Sequence, residues 1–343
     1  MTDIHIRKVN HAGRITLQRP DALNAMTYEM CLKIDAALKD WREDDSVKCV
    51  VIDAIGKRAF CAGGDIVDLY ATGMAGDYRY GQKFWLDEYR TNRLIAAYPK
   101  PYVALMQGFT MGGGVGISCH GSHRIVGESS QIAMPECGIG LVPDVGGSHI
   151  LAQAPGYLGS YLGLTAQRIT AADAIYVGFA DHFIPEANWS ALILALEDCG
   201  NVSIIDDFTA EPPQGTLQKQ EDKINEIFNT TDLAEIVHKL SQSVDGFAEK
   251  TLEALLRNSP LSMACALEIL ERLRRSNGDL KSALVLEYRY TARSMEHGDF
   301  LEGIRAAIID KDRMPQWKHK IMSVPKSAIE KMCASLGALE LSF

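Results

Sequence analysis

No two cysteines in this 343-residue chain are spaced as CxxC. The eight are scattered at Cys31, Cys49, Cys61, Cys119, Cys137, Cys199, Cys265 and Cys333, which argues against a zinc ribbon or a dithiol redox centre. No apolar run approaches the roughly 20 residues that a membrane-spanning helix needs. The N-terminus MTDIHIRKVN lacks the apolar stretch of a secretory signal and alternates like a strand. A cytoplasmic protein with reduced thiols is therefore the expectation. Cations are outnumbered, with 35 Lys+Arg against 44 Asp+Glu and a net charge of −9. That balance argues against sequence-independent nucleic-acid binding, which needs a dense cationic footprint. It leaves room for a small anionic ligand held by local amides. Glycine runs are present, but the GxGxxG spacing of a dinucleotide site and the GK[ST] of a phosphate loop are missing. There are no internal repeats and no low-complexity segments.

What is present is a chain with 47% hydrophobic residues, enough for a substantial core. IHIRKV and RITLQ read as strands joined by the turn NHAG. Residues 27–42 have helical periodicity, with Thr27 as N-cap. VKCVVIDA, YVALMQG and HRIVGE read as further strands, and residues 81–98 as a helix. Strands and helices alternate to about residue 185, which predicts an α/β sheet with crossover helices. Beyond about 200 the pattern turns helical. EPPQGTLQKQ reads as an exposed linker, followed by helices over 221–240, 244–257, 261–275, 279–297 and 299–309. Gly298, Asp299 and Glu302 suit a helix stop followed by a capping box. The expected division is a core over 1–200 and a helical region over 201–343. The acids of those C-terminal helices read as solvated faces.

Two glycine loops follow strands and precede helices: Ala62-Gly63-Gly64-Asp65 and Gly112-Gly113-Gly114. Glycine lets backbone approach a ligand, and a helix start leaves amides without intrahelical partners. Two such loops can aim two N–H groups at one developing oxyanion; the triplet also suits close packing of helix on sheet. MPECGIGLVPDVGG places Glu136 and Asp144 among Met134, Pro135, Ile139, Leu141, Val142, Pro143 and Val145, which call for burial. Carboxylates in such company must be paired, hydrogen-bonded or protonated. Ser118, Cys119 and His120 invite a nucleophile–base reading, but adjacent helix residues do not face one another.

AFCAGGD, GFTMGGGVGIS, AMPECGIGLVPDVGGS and the opening RPDALNAM, in that order, resemble the enoyl-CoA hydratase/isomerase (crotonase) superfamily over about residues 4–195. EYRTNRLIAAYPKPYVAL, LEYRYTARSM and HGDFLEGIRAAIIDKDRMPQWKH extend the resemblance to about residue 318 and point to a thioester-hydrolysing subgroup. The resemblance implies a crotonase-like ββα spiral with a helical C-terminal region. It implies an acyl-CoA substrate, with CoA as part of the substrate and no metal or redox cofactor. It places oxyanion amides at Gly64 and Gly113, a catalytic acid at Glu136, and a substrate-contacting acid at Glu88, which otherwise reads as a helix-surface residue beside Asp87. Hydratases carry a second glutamate where this chain has Gly116, and usually glycine where it has Asp144. That departure favours hydrolysis of a small 3-hydroxyacyl thioester, 3-hydroxyisobutyryl-CoA of valine breakdown. Glu136 would be nucleophile or general base, and Asp144 would orient water or the substrate hydroxyl, or protonate the leaving thiolate. A homo-oligomer is a further expectation from the resemblance. The alternatives are another acyl-CoA reaction of the superfamily, or a non-catalytic acyl-CoA- or RNA-binding member.

Overall fold

The alternation in the first seventeen residues becomes a hairpin. Strand β1 (Ile4–Val9) pairs antiparallel with β2 (Ala12–Leu17), and Asn10 in the turn takes a positive φ of 48°. The computed structural model describes residues 2–343. From β2 onward the sheet is parallel, running β1-β2-β3-β5-β7-β9 with β3 at Cys49–Ala54, β5 at Tyr102–Met106, β7 at His123–Val126 and β9 at His182–Phe183. A second parallel sheet, β4-β6-β8, is built from Ala59–Cys61, Phe109–Met111 and Gln131–Ala133. Three consecutive large-sheet strands are each followed within a few residues by a small-sheet strand: β3 by β4, β5 by β6, β7 by β8. This repeated strand–strand advance is the expected spiral.

Parallel strands covered on both faces read as near-continuous apolar runs. Val50, Val51, Ile52, Val103, Ala104 and Leu105 are all fully buried. Leu192 and Leu196 of the helix Trp189–Cys199 pack into the same core as Val51, Val103 and Ile125. Arg14 on β2 is buried there, paired with Asp53 on β3 and with Glu197 on that helix. By contact the chain forms two units, each assembled from separated segments. The one containing both sheets takes the residues through Asp65, Asp87–Ala133 and Arg168–Gln218.

The other unit takes Ile66–Leu86, Met134–Gln167 and Lys219–Phe343 and is helical. Side-chain caps punctuate it. Asp232, Asp245, Ser259 and Asp279 each accept amides at the start of a helix. Asp232 explains one correction: the single helix expected over 221–240 is two, Leu217–Phe228 and Leu233–Gln242. A second correction concerns the reading of EPPQGTLQKQ as linker. Its latter half enters a helix, and the Thr216 and Leu217 amides donate to the buried Asp173 carboxylate. A third concerns Gly298-Asp299-Glu302. Gly298 is extended rather than left-handed, and Asp299 makes no side-chain cap. Asp299 instead accepts from Ser259 Oγ and the Lys318 amide, while Glu302 takes Arg305 and the Gln316 amide. These tertiary partners displaced the local capping pattern.

Candidate active site

In the sheet-containing unit, the loop after β4 turns at Gly63, where φ is +115°. The Met26 amide donates to Gly63 O at 2.9 Å and the Asp65 amide to Met26 O at 2.8 Å. These bonds fix both sides of Gly64, whose own N–H has no acceptor among the described residues. The loop after β6 turns at Gly112, φ +48°, and Gly113 opens the short helix Gly113–Ser118. Its N–H lies in the first turn, where no intrahelical carbonyl is available, and it too has no acceptor among the described residues. A Cβ placed on Gly113 would stand 3.4 Å from Gly64 N and 3.0 Å from Glu88 Oε1. Two unspent amides and one carboxylate are thus neighbours. Glu88 is only 3% exposed, so it is not the helix-surface acid that its place beside Asp87 suggested. Its charge, together with burial, also reaches Cys61, whose thiol is pushed up to about 12, chiefly by burial.

The two readings of the glycine triplet fall on different positions. Gly113 offers the amide, and Gly114 provides the close approach. A Cβ at Gly114 would meet Cys61 O at 2.3 Å and Cys61 Cβ at 2.9 Å. The obstruction is largely backbone and cannot swing aside. Gly114→Ala should therefore lower stability by about 1–3 kcal/mol, read as a fall in melting temperature. An unchanged melting temperature would mean that the two loops yield freely. In the neighbouring Ser118-Cys119-His120, the first two side chains are committed to packing. Ser118 Oγ donates back to Gly114 O at 2.6 Å, and burial raises the Cys119 thiol to about 11.

In the helical unit, Glu136 begins a 3-10 turn, Glu136–Ile139, which ends at Gly140 with φ +78°. The turn is clamped through its backbone. The Leu141 amide donates to Glu136 O, the Ser259 amide to Cys137 O, and Tyr290 Oη to Gly140 O at 3.1 Å. The Glu136 carboxylate also helps raise the Cys137 thiol, an effect dominated by burial. Further along, the Gly147 amide donates to Asp144 O at 2.7 Å, closing a four-residue turn. Its central residues, Val145 and Gly146, both have positive φ, +51° and +80°. A β-branched residue there is strained. Glu136 and Asp144 are each 4% exposed. Neither is a solvated loop acid.

The structure adds one acid that the sequence analysis passed over. Glu287, on the helix Leu280–His297, is fully buried. Its Oε2 accepts the Gly146 amide at 2.8 Å; its Oε1 accepts the Ser148 amide at 3.1 Å and pairs with Ser148 Oγ. Burial raises its pKa to about 8, and the Asp144 charge adds to this against the Ser148 and Gly146 hydrogen bonds. The signal was available. Glu287 shares a helical stripe with Ala283, Leu284, Tyr290 and Thr291, all buried, and an acid inside an apolar stripe is not on a solvated face.

The chain matches the family model of enoyl-CoA hydratase/isomerase over residues 12–333. The 3-hydroxyisobutyryl-CoA hydrolase, mitochondrial, of Danio rerio is 39% identical over 353 residues, spanning 99% of this chain and 91% of its own length. The human protein of the same name is 35% identical, with the same coverage. Among solved structures, one described as an enoyl-CoA hydratase from Rhodobacter sphaeroides is 54% identical with a TM-score of 0.95, covering 100% of both chains. Another, described as a carnitinyl-CoA dehydratase from Mycobacterium thermoresistibile, is 36% identical with a TM-score of 0.94, covering 99% of this chain and 98% of its own.

Proposed function

The chain belongs to the enoyl-CoA hydratase/isomerase family, and from that premise we propose that it hydrolyses a short 3-hydroxyacyl-CoA thioester, 3-hydroxyisobutyryl-CoA foremost, to the free acid and CoA. Support comes from the near full-length likeness to proteins named as hydrolases of that thioester. The observation that carries the choice of reaction is Asp144, a buried acid on a strained turn, in a chain whose position 116 is glycine. In this reading the Gly64 and Gly113 amides receive the thioester oxygen as it gains charge. Glu136 supplies the attack, either by forming a mixed anhydride that water then cleaves or by taking a proton from the attacking water. Asp144 orients that water or the substrate hydroxyl, or returns a proton to the leaving thiolate. Glu88, beside Gly113, contacts the acyl portion. Acids and amides suffice for these steps, and CoA enters as part of the substrate. A cytoplasmic location and self-association into a homo-oligomer belong to the same proposal.

A second reading is hydration of an enoyl-CoA, favoured by the description of the 54% identical structure. One assay separates the two. The purified protein is given 3-hydroxyisobutyryl-CoA and a short enoyl-CoA, with a thiol dye and enoyl absorbance followed together. Dye signal on the first substrate is the expected result. Loss of enoyl absorbance without thiol release would replace hydrolysis by hydration.

A further inference from the structure

We propose that Glu287 is a positioning residue for Asp144, holding the strained turn that aims it and controlling the charge that faces it. The inference rests on the reading of Asp144 as part of the reaction. The geometry is specific. Asp144-Val145-Gly146-Gly147 places two successive residues at positive φ, one of them a valine. Such a conformation persists only where its surroundings over-determine it. Glu287 supplies that constraint from a different element, since its two oxygens take the amides of Gly146 and Ser148 on the far side of the strained valine. It thereby caps the helix Gly147–Gln153 from outside.

The second part is electrostatic. Asp144 is the charged group that faces Glu287. The ionisable groups on the other elements of this unit packed around it are engaged elsewhere. His149 on the capped helix turns to Gly278 and Asp279. On the helix Pro260–Ser276, Arg274 binds Ser160 Oγ, and Arg272 binds Glu268 and Cys333 O. Arg289, on Glu287's own helix, pairs with Glu340, Glu302 pairs with Arg305, and Asp299 accepts from Ser259. A carboxyl in a water-poor place that feels another acid's charge holds its proton to higher pH. Burial, with the Asp144 charge added to it, keeps the proton on Glu287 to about pH 8. Once Glu287 ionises, its charge opposes that of Asp144, so turnover falls as the pH rises through about 8.

Stability follows the same sign. The folded carboxyl keeps its proton to about 8, against an ordinary value of 4.5. Between these values the native state binds a proton that the unfolded chain has released. The stability contributed is fully present below the lower value and is lost as pH rises toward the upper one.

The test uses the full-length protein, 3-hydroxyisobutyryl-CoA and a thiol dye, from about pH 6 to about 9.5, alongside urea unfolding over the same range without substrate. Gln at 287 stays neutral but can accept only one of the two amides. Glu287→Gln should keep kcat within about tenfold near neutrality and lose the alkaline fall. Its unfolding free energy should also depend less on pH between the two values. Glu287→Ala should lower kcat about a hundredfold with KM changed less than about threefold. Should that variant not fold, Ser148→Ala serves: it deletes a hydrogen bond that lowers the Glu287 pKa, so the alkaline fall should move to higher pH. An alkaline fall unmoved in both Glu287→Gln and Ser148→Ala, with unfolding equally pH-dependent in wild type and Glu287→Gln, overturns the inference. Asp144→Asn separates the two failures. Wild-type thiol release from that variant sinks the role of Asp144, whereas an inactive Asp144→Asn beside unaltered Glu287 variants sinks only the role of Glu287.

Discussion

Glu136→Gln is expected to bind acyl-CoA as wild type does and to release thiol at least about a thousandfold more slowly, the scale of losing a positioned base or nucleophile. The substitution keeps shape and volume. What it removes is the group's capacity to take a proton or attack a carbonyl. The fold should not notice, because the 3-10 turn at Glu136 is held by backbone bonds: the Leu141 amide to Glu136 O and the Ser259 amide to Cys137 O. Binding would be measured by calorimetry with the substrate's CoA product, and turnover with the thiol dye. A folded variant that keeps activity within about threefold would remove Glu136 from the mechanism, since neither role tolerates an amide.

Asp144→Gly should lose most hydrolysis, about a hundredfold or more in kcat. Asp144 itself is not at positive φ, so glycine relieves no strain there and only adds freedom to the unfolded chain; a melting temperature close to wild type is the check that the turn is kept. A loss of activity therefore reports the carboxylate. Adding Gly116→Glu to Asp144→Gly restores the acid pattern that the resemblance assigns to hydratases. Weak hydration of a short enoyl-CoA is then the expected gain. That gain is the smaller effect, because Gly116 lies within a fully buried six-residue helix and a new glutamate must be held to within about 0.5 Å to work. Thiol release by Asp144→Gly at the wild-type rate would make Asp144 a structural loop acid. It would also remove the sequence feature that favours hydrolysis over hydration.

Local chemistry made much of this protein legible before its structure. The β1–β2 hairpin, the Thr27-capped helix and the strand–helix alternation follow from periodicity and capping, which act over a few residues and leave marks in sequence order. The same holds for the helix starts at Asp245 and Asp279, where a short side chain satisfies amides two or three positions on. Glycine loops and buried-acid motifs were visible for a related reason: only certain residues tolerate those backbone conformations or that burial. Family membership was readable because the motifs stand in a fixed order.

Other features needed tertiary contacts to decide them. Asp299 read as a helix cap, yet its carboxylate goes to Ser259 and Lys318, forty and nineteen positions away. Glu88 could be read as a surface acid or as a substrate contact, and only its burial beside Gly113 removed the first reading. The interleaving of segments between the two units has no marker in a linear sequence. Glu287 is the clearest case. Its helical stripe could have shown that it is buried, but not that its two oxygens reach amides about 140 positions earlier in the chain. A sequence specifies which groups must be satisfied; which distant group satisfies them is settled when the chain closes on itself.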